Sequence, residues 1–471
     1  MFYTEYYHQS IQKTSKKAAG AAALHWERQK ISDRRYSGCN RIDVHEGEVP
    51  SFGYVSSDGM EQVGVYVVLR GRNFPDGIYA YDADGRSGAP NVAGQLVKIG
   101  GKDEMKRLAE AFPHKDFLLD TPILYLFTGI LERSVCRFKE GAYSRILQDV
   151  GACVGSVMLH AKAKGAKVFP LGGFVDDQVA VSLKLPSTEV PLAGLAVFPE
   201  YSELAYDSID DGVGESAYSN RSEADPLLMA AEPGASFDAG CVSASSRYPS
   251  RFMRQNRGEC IEDLSKCIRV RRLATQALPG DEFPLTPARY DSKLYGQVVN
   301  DLGKVPQRRI PFKRTSFDLD EFSSMLRWLE QGKINLFGAG LLKIWIVVFD
   351  VMFVFPGVYR YVPVRKSIYM QGGVVAAKKF VKCHVVPEEV ENAAFAVVLT
   401  ADLKEACNLL GERAYRYLNM NAGYILQSLS LSGRVLNKTV RSPHFFYEDD
   451  LKKLCNLPDG ESVISEILVG K

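Results

Sequence analysis

The sequence predicts an α+β protein made of two related halves, each of them a sheet covered by helices. The segment from Glu140 to Glu189 aligns without a gap on the segment from Glu412 to Glu461, so equivalent positions keep a constant offset. Upstream, a second block that begins at Gly77 (GIYAY) matches one that begins at Gly357 (GVYRY) at a similar offset. Two blocks that recur in the same order indicate an internal duplication.

Each half begins with predicted strands. Runs of β-branched and aromatic residues start at Val65 (VYVVL) and at Trp345 (WIVVF). Gly77 and Gly357 follow these runs at the places where a turn between two strands is expected. We therefore predict that both runs are interior strands of a hairpin. The apolar run from Leu341 to Phe355 is interrupted by charges and is too short for a bilayer span, so it is interpreted as strand, turn and strand.

A long helix is predicted next in each half, because apolar residues recur at three- and four-residue spacing. In the first half these residues are Tyr143, Ile146, Leu147, Val150, Val154, Val157 and Met158. In the second half they are Tyr415, Leu418, Ala422, Leu426 and Leu429. A loop and a short helix follow in both.

Composition shifts predict the domain boundaries. We expect a first domain at 1–200, a linker or insert at 201–260 and a second domain at 261–471. The stretch from Tyr201 to Asp225 is acidic, and the stretch from Arg247 to Arg272 is basic with aromatic residues between the arginines. The basic stretch is either a solvated helix face or a dock for an acidic peptide.

Bulk charge and cysteine usage narrow the class of protein. Lys and Arg total 58 against 56 Asp and Glu, a net charge of +2, so no nucleic-acid or membrane surface is indicated. The nine cysteines show no Cys-x-x-Cys spacing, which favours reduced thiols in the cytoplasm and no metal site. The amino terminus lacks the apolar segment of a signal peptide.

Three motifs resemble the nitroreductase-fold flavin enzymes, and most closely their tandem branch, the azoline dehydrogenases that mature ribosomally made peptides. Tyr6-Tyr7-His8, with Leu24-His25-Trp26 downstream, resembles the amino-terminal signature of that branch. The segments at 74–81 and 355–361 resemble its Pro-Gly-x-Tyr-x-Tyr hairpin. Arg308-Arg309-Ile310, followed by a predicted helix, resembles its Arg-Arg-Ser box. The resemblance covers most of the chain outside about 201–260.

The resemblance implies two nitroreductase-like domains packed as an intramolecular pseudo-dimer, with FMN at their interface. The FMN phosphate needs fixed cationic donors, which Arg308, Arg309 and Lys313 can supply. The alternative for this cluster is a solvated basic turn before a helix.

The remaining coenzyme contacts follow from the same resemblance. Ser56, Ser57 and Gly59 occupy the place of a loop that reaches the ribityl chain and ring, although they also suit an ordinary turn. Gly172 and Gly173 stand where these enzymes offer a backbone N–H to flavin N5, although they also suit a helix stop. The residues predicted to bind the phosphate, Arg308, Arg309 and Lys313 (the phosphate box), lie in the second half, whereas the glycine pair lies in the first. In the enzymes that this chain resembles, both features come from the same unit.

Two residues are predicted to be catalytic. Arg137 stands in the place of a lysine that precedes a tyrosine in azoline dehydrogenases, and it would orient the substrate, since arginine stays protonated and is a poor base. Tyr143 lies at the start of the long helix, where a buried structural role is the alternative.

The predicted function is a two-electron oxidation of a ribosomally made peptide or a peptide-derived substrate, with oxygen regenerating the FMN. The alternative is a flavin-free scaffolding subunit that binds the peptide for other peptide-modification enzymes. A nitroreductase that uses NAD(P)H is a third interpretation. A homodimer is compatible with the sequence.

Overall fold

The fold is given by a computed structural model of the chain. It describes residues 4–5, 7–9, 39–45, 52, 54, 56, 62–71, 74–82, 92–113, 115–138, 141–199, 282–285, 311–331, 340–443 and 445–471. The predicted insert at 201–260 lies outside the described residues.

The first unit contains a seven-stranded sheet covered by helices. Its strands are β1 (Arg41–His45), β2 (Val63–Leu69), β3 (Gly77–Asp82), β4 (Val92–Gly100), β5 (Ile123–Ile130), β6 (Lys167–Leu171) and β7 (Glu189–Phe198). Its helices are α1 (Lys102–Glu110), α2 (Lys115–Asp120), α3 (Leu131–Phe138), α4 (Ala142–Ala163) and α5 (Asp176–Ser182).

The second unit repeats this layout. Its strands are β8 (Glu282–Pro284), β9 (Lys343–Val348), β10 (Gly357–Val362), β11 (Ser367–Gly372), β12 (Phe395–Ala401), β13 (Thr439–Arg441) and β14 (Ser462–Gly470). Its helices are α6 (Leu319–Gln331), α7 (Ala377–Val381), α8 (Leu403–Leu410), α9 (Ala414–Val435) and α10 (Glu448–Leu454). Three short 3-10 turns lie at Pro363–Arg365, Pro387–Glu389 and Gly411–Arg413.

The two sheets have the same topology, which confirms the predicted fold class. The strand order is β1-β4-β3-β2-β5-β7-β6 in the first sheet and β8-β11-β10-β9-β12-β14-β13 in the second. Replacing each strand by its counterpart in the other unit converts one order into the other. The predicted strands β2 and β9 lie inside their sheets, flanked by β3 and β5 and by β10 and β12.

The duplication extends to individual buried hydrogen bonds. Thr128 donates its hydroxyl proton to Glu189, and Thr400, its equivalent in the second unit, donates to Glu461. In the hairpins, the Tyr79 hydroxyl donates to the carbonyl of Pro75, while the Tyr359 hydroxyl donates to the carbonyl of Phe355. A buried hydroxyl or carboxylate is costly without a partner, so both units satisfy the same groups in the same way.

The long helices α4 and α9 join the units. Gly151 and Gly423, which are equivalent in the gapless alignment of the two halves, lie where the two helices cross. A Cβ built on Gly151 would stand 1.9 Å from the carbonyl oxygen of Met420, and one on Gly423 would stand 1.8 Å from that of Gln148. The backbones therefore touch about a pseudo-twofold axis, and the apolar inner faces of both sheets share one core with these helices.

Candidate functional site

The two units contact each other at two places, which are called seams here. One seam lies at the loop that follows β6, and the other lies at the equivalent loop that follows β13. The second seam is defined as the contact between the loop that starts at Ser442 and the end of α3 with the start of α4. Arg145 of α4 donates from Nη2 to the Pro443 carbonyl at 2.9 Å. Its Nη1 lies 3.4 Å from the Ser442 hydroxyl oxygen. One arginine of the first unit thus holds the loop of the second.

Aromatic rings enclose this arginine. The Arg145 guanidinium carbon lies 5.9 Å from the ring centre of Phe138 and 6.0 Å from that of Phe445. The rings of Phe138 and Phe445 are 5.5 Å apart. Arg145 is only 8% exposed, so these contacts are screened from water and strengthened. The end of α3, which carries the predicted catalytic Arg137, therefore lies against the second-unit loop; the structure describes the helix at Arg137 and not its side chain.

The chain that carries the predicted phosphate box runs beside the same loop. Arg308 and Arg309 lie outside the described residues, whereas Lys313 is exposed and its backbone N–H donates to the Lys471 carbonyl at 2.7 Å. The buried ring of Phe312, next to Lys313, lies 3.7 Å from the guanidinium carbon of Arg441. Arg441 directly precedes Ser442, so cationic residues approach the second seam from this side.

Within the first unit, Ser56 contacts α4, the helix that carries Arg145. The Ser56 hydroxyl donates to the Asp149 carboxylate at 2.7 Å, and the Gln62 amide donates to the same oxygen at 2.9 Å. Asp149 is fully buried on α4, one turn beyond Arg145. Ser57 and Gly59 lie outside the described residues.

The first seam, the contact between the loop after β6 and the start of α9, is built differently. Arg413 donates to the carbonyls of Gly172 and Phe174 at 2.7 and 2.9 Å. It also pairs with Asp176 at 2.6 Å, and Arg416 pairs with Asp176 at 3.1 Å. The carbonyl of Gly172 is thus directed at a buried arginine. Gly173 is partly buried in the same loop.

Among the described residues, Arg441 of the second seam has no cationic equivalent in the first, whose arginines Arg413 and Arg416 are paired with Asp176. The residue equivalent to Arg441 is Phe169, in the register that aligns the two halves. Its ring packs against Phe117 at 5.9 Å and against Phe198 at 5.7 Å. A cluster of three aromatic rings offers no charged donor to a phosphate. The described residues therefore favour the second seam for an anionic coenzyme.

The second predicted catalytic residue, Tyr143, lies near the pseudo-twofold axis. The ring of Tyr7 stands between Tyr143, at 6.2 Å, and its equivalent Tyr415, at 5.5 Å. The next residue, His8, contacts Glu448 of the second unit at 2.9 Å. Burial raises the pKa of Tyr415 well above its ordinary value, so this phenol stays protonated. The catalytic role of Tyr143 stays a prediction.

Sequence reasoning missed the residues that span the seams, Arg145 and Arg413. Each is almost fully buried, at 8% and 5% exposure. The only available signal is an arginine close to the start of a helix with an apolar stripe, because a buried charge needs a dedicated partner. The partner loops belong to the other unit, so no local pattern identifies them.

Comparison with known proteins agrees with the fold. Residues 56–197 match the model of the Nitroreductase family. A protein of Methanocaldococcus jannaschii assigned as a nitroreductase is 24% identical over 118 residues, which are 25% of this chain and 60% of that protein. The chain therefore covers less than two thirds of that relative's length.

Solved structures extend the likeness to the whole chain. A crystal structure of a protein from Anabaena variabilis assigned as a nitroreductase aligns over 99% of both chains, with a TM-score of 0.72 and 20% identity. The E. coli microcin synthetase McbBCD complex with truncated pro-MccB17 bound aligns over 43% of this chain and 80% of that chain, with a TM-score of 0.30 and 12% identity. A TM-score at that level supports no conclusion about this chain.

These likenesses and the sheet topology define the class of protein: this chain has the fold of nitroreductase-family oxidoreductases. More particularly, it carries that fold twice in one polypeptide, and residues 56–197 of the first unit are the part that matches the family model. Among the helices that the structure describes, none has the length and apolar character of a membrane span.

Proposed function

We propose that the chain is an FMN-dependent oxidoreductase whose coenzyme lies in the second seam. The observation that carries this proposal is the convergence of three parts on one loop. The end of α3 and Arg145 come from the first unit, and the stretch around Lys313 comes from the second. A site assembled from two units suits an extended anionic coenzyme with a phosphate at one end and a flat ring at the other.

At the phosphate end, Arg308, Arg309 and Lys313 are the proposed donors. An arginine binds phosphate through two parallel hydrogen bonds, and a lysine adds a point charge. The exposed side chain of Lys313 and its backbone N–H, which is fixed by the Lys471 carbonyl, are compatible with this role.

Toward the ring, Ser56, Ser57 and Gly59 are proposed to contact the ribityl chain. The loop from Ser442 to Phe445 belongs to the same unit as Arg308, Arg309 and Lys313, which is the arrangement that the resemblance to nitroreductase-fold enzymes implies. The role predicted for Gly172 and Gly173 stays a prediction, and it requires a coenzyme in the first seam, where Arg413 binds the Gly172 carbonyl.

When bound, FMN supplies the acceptor for the hydride that the substrate loses, and molecular oxygen takes the electrons from it in turn. The substrate is proposed to be a peptide or a peptide-derived molecule. Arg137 would bind a substrate carbonyl or carboxylate and so orient the bond that is oxidised. A guanidinium stays protonated at neutral pH, so Arg137 would hold the substrate and would not remove its proton.

The test is the flavin content of the purified protein. We expect a yellow protein with absorbance near 450 nm and about one FMN per chain. Arg309→Ala is expected to lose the flavin while the fold is retained by circular dichroism. Arg107→Ala, an exposed arginine on the outer helix α1, is the matched control and should keep full occupancy.

The second candidate is a flavin-free scaffold for other peptide-modification enzymes. The first seam favours it, since Arg413 and Asp176 close that loop and Phe169 replaces a cation. Colourless protein that takes up no added FMN would contradict the flavin enzyme and favour this alternative. Bleaching of a yellow protein by NADPH under nitrogen would instead indicate the NAD(P)H-dependent reductase.

A further inference from the structure

We propose that Arg145 is a positioning residue that makes coenzyme binding by the second unit depend on docking of the first. This inference rests on the proposed function, because it assumes that the loop from Ser442 to Phe445 lines the coenzyme. Arg145 itself stands behind that loop and is assigned no contact with the substrate.

The contacts of Arg145 explain why it would position the loop. Its guanidinium reaches two consecutive residues of the loop, the hydroxyl of Ser442 and the carbonyl of Pro443. A planar guanidinium that binds two acceptors restricts rotation of the peptide group between them. A single hydrogen bond would leave that rotation free. The ring of Phe445 lies over the same guanidinium, so the far end of the loop is held as well.

The charge of Arg145 adds an electrostatic effect on the ring. The guanidinium is buried, so its field is screened little by water. A fixed positive charge behind the loop would favour the reduced flavin, which carries more negative charge than the oxidised form. Arg145 would therefore raise the reduction potential of the bound coenzyme.

The first seam supplies a control arginine, Arg413, although it is not the equivalent of Arg145, which aligns with Tyr417. Arg413 holds the loop of the first seam by the same kind of contact, with its fork on the carbonyls of Gly172 and Phe174. Removing either arginine costs stability, because Arg145 is a donor to the Pro443 carbonyl and Arg413 is a donor to the carbonyls of Gly172 and Phe174. Only the variant at the coenzyme seam should change the flavin.

The experiment compares Arg145→Met, Arg145→Lys and Arg413→Met as purified full-length proteins. FMN affinity is measured by fluorescence titration of the apoprotein, the reduction potential by dye equilibration and stability by thermal melting. Arg145→Met is expected to bind FMN roughly tenfold more weakly, as expected for a lost charge-assisted hydrogen bond, and to lower the potential. Arg145→Lys keeps the charge and should restore the potential, with affinity between the two.

Arg413→Met is expected to lower the melting temperature and to leave both FMN affinity and potential at wild-type values. Arg145→Met protein that binds FMN with wild-type affinity and potential overturns the inference while the proposed function stands. Equal shifts in the Arg145→Met and Arg413→Met variants also overturn it, since they would show general loosening of the units. A wild-type protein that binds no FMN removes the proposed function and the inference together.

Discussion

Among the single residues, His384 has an environment that specifies its protonation state. Its Nδ1 lies 2.9 Å from the Phe380 carbonyl oxygen, and its Nε2 lies 2.9 Å from the Glu466 carboxylate. A carbonyl oxygen can only accept, so Nδ1 must donate, and Nε2 can donate as well only when the ring is charged. Burial opposes that charge, but Glu466 and the hydrogen bonds outweigh it and raise the pKa of His384.

The stabilising effect of this pair depends on pH with a defined sign. A raised pKa in the folded state contributes stability that is complete below the ordinary value of about 6.5 and is lost as pH rises through the raised value. Glu466→Gln is expected to cost about 3 kcal/mol at pH 6, since it leaves a buried imidazole without its counter-ion. Urea unfolding at several pH values measures both effects.

Glu391→Gln, on an exposed carboxylate of the same unit, is the control and should follow the wild-type pH profile. A Glu466→Gln variant that keeps the wild-type dependence of stability on pH between 6 and 9 would show that another group is responsible.

A second residue-scale prediction concerns Phe353 in the turn between β9 and β10. Its φ is 64°, a left-handed conformation that bulky residues adopt at a cost, and its side chain is 80% exposed. Phe353→Asn is expected to stabilise the protein by about 0.5 to 1 kcal/mol, because asparagine tolerates this conformation and little packing is lost. Chemical denaturation measures the change.

Phe355 has the same 80% exposure without a positive φ, so Phe355→Asn separates backbone strain from the removal of an exposed ring. Equal effects of the two substitutions would rule out backbone strain as the cause.

Among the elements, α4 and α9 are buried over more of their surface than their sequences indicate. Their predicted apolar stripes are confirmed: Ile146, Val150 and Leu426 are 2% exposed or less. Burial extends beyond the stripe to polar positions such as Gln148 and Ser428, both 4% exposed. The reason is that each helix packs on its own sheet with one face and on the other long helix with another.

The helix crossing yields an element-scale prediction. Gly151→Ala is expected to destabilise the protein by about 3 kcal/mol, because the new methyl group meets the Met420 carbonyl of a backbone that cannot move aside. Gly423→Ala should cost a similar amount by symmetry. Gly155→Ala should cost less, because the three atoms nearest to its new methyl group all belong to the side chain of Tyr424.

The measurement is the free energy of unfolding in urea, with Gly460→Ala as the control, since no atom lies within 4 Å of a Cβ built there. Loss of stability in Gly155→Ala as large as in Gly151→Ala would contradict a backbone contact at the crossing.

For the whole molecule, the shared core predicts that the units depend on each other. A fragment of residues 1–200 and one of residues 261–471 would each expose the helix face that the other covers. We expect each fragment alone to aggregate and the co-expressed pair to form a one-to-one complex, as measured by size-exclusion chromatography with light scattering. Two stable monomeric fragments would show that the crossing contributes little to stability.

The duplicated fold can be predicted from the chain without its structure. Gly151 and Gly423, the two hairpins and the two apolar stripes are local or repeated signals, and spacing along the chain preserves them. The helix predicted after the phosphate box is likewise present, as α6.

The contacts of each loop with the other unit are determined by packing. No local sequence pattern predicts them. A glycine pair after a helix makes Gly172 a candidate for the coenzyme, but Arg413 of the other unit binds its carbonyl. The loop at Ser442 has no such sequence signal, yet Arg145 and the residues beside Lys313 meet there. Contacts across a pseudo-twofold axis join residues that are distant along the chain, and only the packing of α4 on α9 brings them together.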